Sequence, residues 1–336
     1  MELTAIAPVR KPLVQTTLRV AGLGTYVPEH RITNEELSAL VDTDDAWIRQ
    51  RTGIRERRKS RSDEFTSDLC LAAVAALVQQ GASLAAVDYV IAATISPDYQ
   101  FPTVSAIVQD RLGLRNVGAM DISAACAGFV YALDLADALI STGRARNVLV
   151  VAGETLTKIT DYRDRAMCIL FGDGAGAALV TSDDGSGSGV LARRLNTDGG
   201  AGKHLFLTAL NKEIAGVVEP EHFMRQNGRA VYEWVVTHVS AGIKELLAQA
   251  NMRPDEVDWF IPHSANMRMI EAVRERSGIA ADRTLTSIQW FGNTSSASIP
   301  LALAPAIADG RIKRGDRILL YGFGGGLVEA GLLLRW

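Results

Sequence analysis

Short apolar runs alternate with helix-length segments along almost the whole chain, and this alternation narrows the fold more than any other feature. Val87–Thr94, Val148–Ala152, Ala175–Val180, Trp259–Pro262 and Arg317–Tyr321 read as strands that lack a polar face, so both of their faces must be covered. Leu18–Leu23 and the C-terminal Gly-Leu-Leu-Leu-Arg-Trp read the same way. Between them, Ser67–Gln80 places apolar residues at 69, 70, 73, 74 and 77, which is helical spacing, and stops at Gly81. Further helices are expected over Asn34–Val41, with Thr33 and Glu36 as a capping box, and over Phe129–Ser141, Arg229–Ala250, Met267–Arg276 and Ser296–Asp309. Strands sandwiched between helices define a layered α/β architecture.

The composition fits close packing. Of 336 residues, 48% are hydrophobic but only 6% aromatic, and 30 are glycine. A net charge of −3 gives no reason to expect nucleic acid or an anionic membrane as partner. No apolar run reaches membrane-spanning length. The three cysteines, Cys70, Cys126 and Cys168, are scattered, with no CxxC and no histidine at metal-ligand spacing. This is the usage of a reducing cytoplasm rather than of a disulfide framework or zinc site, and no metal is expected. Ser182–Pro220, rich in Gly, Ser and Asp, is the least regular stretch. The expected organisation is a loose tail over 1–17, one half over 18–190 and a second over 191–336.

Chemistry concentrates where strands hand over to helices. In Asp121-Ile122-Ser123-Ala124-Ala125-Cys126-Ala127-Gly128 a thiol sits at an expected helix start. Free N–H groups and the helix dipole there favour an anion, so a pKa well below the usual value of about 8.5 is expected. Packing as a small core residue is the competing reading. In Trp259-Phe260-Ile261-Pro262-His263-Ser264-Ala265-Asn266 a strand ends at a histidine. In Gly292-Asn293-Thr294-Ser295 an asparagine stands before a helix. Singly, these fit a core histidine and a turn residue. Together they supply a nucleophile, a ring nitrogen and an amide donor, a set suited to acyl-thioester chemistry. Gly324-Gly325-Gly326 after a strand offers backbone N–H groups to an oxyanion. Gly22-Leu23-Gly24 lacks the third glycine of a dinucleotide fingerprint, and Phe171-Gly172-Asp173-Gly174-Ala175-Gly176 lacks the Lys-Ser/Thr of a phosphate loop.

Ala125-Cys126-Ala127-Gly128, Pro262-His263-Ser264-Ala265-Asn266, Gly292-Asn293-Thr294-Ser295 and the triple glycine resemble the motifs of β-ketoacyl-acyl-carrier-protein synthase III. So do Asp42-Thr43-Asp44-Asp45-Ala46-Trp47-Ile48 and Arg51-Thr52-Gly53-Ile54. The resemblance runs from about residue 18 to the C-terminus. It implies the thiolase fold, two similar α/β halves in five αβαβα layers, assembled as a homodimer. It assigns Cys126 as the nucleophile that takes an acyl group from acyl-CoA. His263 and Asn293 would promote decarboxylation of malonyl-acyl carrier protein, and the N–H groups of Cys126 and Gly325 would form the oxyanion hole. Thr43, Trp47, Arg51, Arg165 and Asn266 would contact CoA, with Trp47 and Arg165 sandwiching the adenine. Leu156 and Phe171 would line the acyl pocket, completed by Phe101 from a dimer partner. Arg268 would dock the carrier protein. No cofactor is implied, since CoA arrives as part of the substrate.

The basic run Arg49, Arg51, Arg55, Arg57, Arg58, Lys59 and Arg61 otherwise reads as a solvated face. Glu329, following the triple glycine, is an unexpected charge for a site of this kind. Two enzyme readings compete with the main one: a relative in a specialised or secondary-metabolite pathway using another acyl donor or acceptor, and a papain-like cysteine hydrolase with the same Cys…His…Asn order. A non-catalytic scaffold is the remaining reading, and the intact trio argues against it. Against the hydrolase, Cys126 lies mid-chain and lacks the Gly-Ser-Cys-Trp style of context.

Overall fold

A computed structural model describes residues 18–336; the tail expected over 1–17 lies outside the described residues. The first half contributes β1 (Leu18–Tyr26), α1 (Thr66–Gln79), β2 (Tyr89–Ala93), α2 (Val104–Arg111), β3 (Gly118–Ile122), α3 (Gly128–Ser141), β4 (Asn147–Thr155) and β5 (Asp173–Ser182). The second contributes β6 (Gly189–Thr197), α4 (Gly228–Gln249), β7 (Trp259–Pro262), α5 (Met267–Ser277), α6 (Ser298–Ala308), β8 (Arg317–Gly324) and β9 (Val328–Arg335).

The two sheets repeat one topology. The first runs β1-β5-β4-β2-β3, the second β6-β9-β8-β7. Each begins with two antiparallel pairs; the first ends with two parallel pairs and the second with one. The fifth position of the second sheet shrinks to one parallel bridge between Phe260 and Thr284. Helices α1 and α2 cover the outer face of the first sheet, α4 and α5 that of the second, and α3 and α6 lie between the sheets. This is the αβαβα layering expected of the thiolase fold.

Burial follows from the patterning. α1 turns Leu69, Cys70, Ala73, Val74 and Leu77 into one core stripe. α6 is apolar nearly all round and buries Ile299, Pro300, Leu301, Ala302, Leu303 and Ala306, as a helix flanked by two sheets must. β4 is buried from Val148 to Thr155 because helices cover both of its faces. Gly176 lies on β5, in the segment that mimics a phosphate loop. A side chain there would come within 2.3 Å of Pro300, so the glycine serves packing against α6.

Most expected elements form, with shifted ends. The Thr33–Glu36 capping box is present, but its helix spans only Asn34–Ser38. The stretch expected to be irregular contains β6, a nine-residue strand, and a division after residue 190 would fall inside it. The basic run is not a uniform face. Arg57 is 1% exposed and donates to the Ile32 carbonyl (3.2 Å), Asn34 Oδ1 (2.8 Å) and the Ile169 carbonyl (2.7 Å). Burial with no carboxylate among those acceptors pushes its pKa down to about 10.

Candidate active site

Cys126, His263, Asn293 and the glycine turn, although remote in sequence, line one cavity of about 860 Å³. That is a normal size for a small-molecule site. Cys126 and His263 stand just past a strand, whereas Asn293 follows a short helix (Ile288–Phe291). Cys126 follows β3, in a 3-10 turn (Ala125–Ala127) that leads into α3, and Ala125 takes a left-handed φ of 45°. His263 follows β7 directly. Asn293 precedes a 3-10 turn (Ser295–Ala297) that leads into α6, with Ser295 at a φ of 47°.

The glycines of β8 bring the two halves into contact at the thiol. A methyl group on Gly324 would lie 2.8 Å from Cys126 N and 3.0 Å from its Sγ; one on Gly322 would lie 2.6 Å from Ala127 Cα. Only hydrogen fits at these positions.

The side chains around the cavity are held in fixed orientations. Asn293 Oδ1 accepts from Ser295 N (2.9 Å), which leaves its NH₂ as the free end of the amide. The turn role and the donor role of Asn293 are therefore compatible. His263 Nδ1 lies 2.7 Å from Ser298 Oγ, which accepts from Ser264 N (3.2 Å). Ser298 Oγ has one hydrogen that it can give to Nδ1, and in that tautomer the ring hydrogen stands on Nε2. Phe323 packs edge-on against the ring at 5.3 Å. Burial pushes the His263 pKa down to about 3, and the Ser295 carbonyl offsets only part of this. At neutral pH the ring is an uncharged donor.

The thiol departs from expectation. Burial pushes the Cys126 pKa up to about 12; the Ser295 side chain pulls it down, Glu154 pushes it up, and the residue's own N–H lowers it. Desolvation outweighs the helix start because the thiol lies inside the layered core, 7% exposed for the whole residue.

Of the other residues singled out, Leu156, Phe171, Asn266 and Gly325 line the cavity. Asn266 also caps α5, its Oδ1 accepting from Arg268 N at 2.9 Å. Thr43, Trp47, Arg51, Arg165 and Arg268 lie outside the lining. Trp47 has Arg165 over its ring at 5.0 Å and Arg51 at 5.3 Å, and Thr43 Oγ1 is buried without a partner. Phe101 is 85% exposed and also lies outside the cavity of its own chain. Glu329 is not a charge in the cavity. It is fully buried among Tyr321 Oη (2.9 Å), Asn196 Nδ2 (3.2 Å) and Arg194 Nε (3.1 Å).

Sequence reasoning missed Glu154 and Ser295. Glu154 is fully buried at the end of β4; Oε2 accepts from Thr94 Oγ1 (3.0 Å), Ile95 N (3.1 Å) and Ser96 Oγ (2.7 Å), and Oε1 from Ser296 Oγ (2.9 Å). A lone carboxylate ending an otherwise apolar strand was the local signal. Among the described residues, no group of three or more His, Cys, Asp or Glu is placed to hold a metal ion, and no helix is long and apolar enough to cross a membrane.

Fold and cavity together define an acyltransferase of the thiolase-fold condensing class. Comparison with known proteins narrows this. Residues 120–199 match the family described as 3-oxoacyl-[acyl-carrier-protein] synthase III, and residues 247–336 match its C-terminal region. The β-ketoacyl-[acyl-carrier-protein] synthase III 2 of Halalkalibacterium halodurans is 49% identical over 95% of this chain and 96% of its own. That of Staphylococcus epidermidis is 48% identical over 96% and 99%. The crystal structure of the Thermus thermophilus synthase III superposes with a TM-score of 0.91 at 42% identity, covering 94% of this chain and 98% of that one. The chain belongs to the β-ketoacyl-acyl-carrier-protein synthase III family. Membership sets aside the hydrolase and scaffold readings.

Proposed function

We propose that this enzyme joins an acyl group from acyl-CoA to malonyl-acyl carrier protein by decarboxylative Claisen condensation, giving 3-oxoacyl-acyl carrier protein and initiating fatty acid synthesis. The observation that carries the proposal is the convergence of the Cys126 thiol, a neutral His263 and the Asn293 amide on one cavity. Cys126 attacks the thioester of acyl-CoA and keeps the acyl group. Malonyl-acyl carrier protein then enters, and loss of CO₂ places negative charge on its thioester oxygen. His263 Nε2–H and the Asn293 NH₂ stabilise that enolate. A protonated, cationic imidazole is not needed, which agrees with the lowered pKa. The enolate carbon attacks the acyl-Cys126, and the N–H groups of Cys126 and Gly325 receive the tetrahedral oxyanion. No bound cofactor enters this scheme.

Trp47, Arg51 and Arg165 form the reading's CoA head site, with Thr43 Oγ1 free to donate. A base between indole and guanidinium needs two spacings of roughly 3.5 Å, so Arg165 swings away from its 5.0 Å position when adenine enters. Asn266 sits beside the pantetheine path. Arg268, exposed at the start of α5, steers the acidic carrier protein. The dimer reading is supported by β3, an edge strand with Ala119 and Met120 exposed, and by the exposed Phe101. Pairing of two such edges would cover them and carry Phe101 to the partner's acyl pocket, beside the partner's equivalents of Leu156 and Phe171. The free thiols of Cys70, Cys126 and Cys168 suit residence in the cytoplasm.

The test is intact-protein mass spectrometry after exposure to a panel of acyl-CoAs. A single acyl adduct that maps to Cys126 and disappears on adding malonyl-acyl carrier protein is expected. An adduct on another residue, or none with any donor, would overturn the reading.

A further inference from the structure

An uncharged imidazole carries one ring hydrogen, and the nitrogen that holds it decides whether His263 can donate to a substrate. The choice is set by the hydrogen bond that the other nitrogen makes. His263 Nδ1 lies 2.7 Å from Ser298 Oγ, and the backbone N–H of Ser264 donates to the same oxygen at 3.2 Å. Among the described residues these are the only hydrogen-bond partners of that hydroxyl, and Ser298 is fully buried. Ser264 N can only donate, so Nδ1 is the one acceptor within reach of the Ser298 hydrogen. With the ring hydrogen on Nδ1 instead, Oγ would face two donors, and its own hydrogen would be buried without an acceptor. Folded proteins rarely tolerate that state.

The hydroxyl is itself clamped from two sides. Ser298 opens α6, and its carbonyl accepts from Ser287 Oγ at 3.0 Å. Ser264 Oγ accepts from Ser287 N, also at 3.0 Å. Three buried serines thus tie the end of β7, the segment before the short helix and the start of α6 into one frame. Phe323 backs the ring edge-on at 5.3 Å. A ring held at Nδ1 in this way keeps its other nitrogen for the cavity that His263 lines.

We propose that Ser298 is a positioning residue for decarboxylation: its hydroxyl donates to Nδ1 and so fixes the ring hydrogen of His263 on Nε2, where the malonyl thioester oxygen arrives. The opposite tautomer would aim a bare Nε2 lone pair at the enolate oxygen and repel the charge that forms there. Ser298 lies outside the cavity lining and acts only through the imidazole. No bond forms or breaks at its hydroxyl, which keeps its hydrogen through the cycle. Acyl loading on Cys126, which needs no donor from His263, does not depend on it.

The proposal rests on His263 being an enolate donor, so His263→Ala is measured first. Unchanged decarboxylation of malonyl-acyl carrier protein in that variant would sink the functional reading, whereas the tautomer is read separately. Heteronuclear NMR of the enzyme labelled at its histidine ring nitrogens shows which nitrogen is protonated, and His263→Ala assigns the His263 signals among the five histidines. Wild type is expected to show a protonated Nε2 and a bare Nδ1 at neutral pH. Ser298→Ala should lose that single pattern and slow decarboxylation about 10-fold, with loading from acyl-CoA within about twofold of wild type. Ser298→Cys, close in size but a weak donor, should fall between the two. A His263 hydrogen on Nδ1 in wild type overturns the proposal, whether or not the variants fold. An unchanged tautomer in Ser298→Ala overturns it too, with or without a loss of rate. Equal loss of loading and decarboxylation would leave Ser298 a structural role only and would also overturn it.

Discussion

The approach to α3 and the approach to α6 are the same piece of backbone used twice. Ala124 (φ −128°, ψ 29°) matches Thr294 (φ −101°, ψ 25°), and left-handed Ala125 (φ 45°) matches Ser295 (φ 47°). One 3-10 turn follows in each case, and the helices begin at Gly128 and Ser298. In this alignment Cys126 corresponds to Ser296. The thiol opens into the cavity, whereas the Ser296 hydroxyl is shared between the Ala93 carbonyl (3.0 Å) and Glu154 (2.9 Å). The second approach also supplies Ser295 N to hold Asn293 and Ser298 Oγ to hold His263. One approach carries the proposed nucleophile and its twin the frame for the proposed donors. In the proposed reaction, this duplicated geometry divides the labour between the two approaches.

The sharpest way to break this comparison is to truncate the matched pair. Cys126→Ala should lower acyl transfer by about 10⁴-fold or more while leaving stability nearly unchanged. Ser296→Ala should still load acyl groups on Cys126 but lose about 1–3 kcal/mol in denaturant unfolding, because Glu154 loses a buried donor. Abolished loading in the second variant with full stability would show that the two positions are not divided as described.

A smaller effect separates the frame from the nucleophile. Asn293→Ala should reduce malonyl decarboxylation about 10²–10³-fold, as loss of one preorganised donor does elsewhere, with self-acylation within several-fold of wild type. Single-turnover assays of each half-reaction would show the split, and equal loss of both would dissolve it.

The smallest expected effect is in pH-dependent stability. His263 has a folded pKa of about 3 against an ordinary 6.5, so between these values the unfolded chain binds a proton that the folded chain does not. Stability from this group is therefore complete above about pH 6.5 and falls as pH drops, by about 1.4 kcal/mol per unit. Between pH 7.5 and 4.5, wild type should lose about 2–3 kcal/mol more than His263→Gln in chemical denaturation. The difference between the two proteins cancels Glu154 and Asp173, whose raised pKa values act with the opposite sign. Identical pH slopes would place His263 in a solvated, protonatable setting.

Elements whose covering is symmetric were the most legible. β7 has the predicted bounds, and α1 and α4 come within a residue or so at each end, because one apolar stripe or one buried run dominates each. β6 was not legible: its burial alternates poorly, and its partner β9 lies over a hundred residues away. α2 is only eight residues long and carries too few apolar repeats to stand out. The motif residues that meet in the cavity could be named in advance, since Cys and His each stood at a strand-to-helix handover and Asn in a small polar loop before a helix. Their consequences could not. Arg57 reads as one member of an exposed basic run, and nothing local marks it as the residue that enters the core.

By itself the sequence determined the layered α/β class, the handover positions and the identity of the chemical groups, since these depend on local periodicity and residue type. Tertiary structure alone decided their chemical state. It buried the Cys126 thiol until its pKa rose instead of falling, stripped the imidazole of its proton, and neutralised Glu329 with Arg194. Desolvation and charge pairing depend on which distant segments come into contact, and no window of neighbouring residues contains that information.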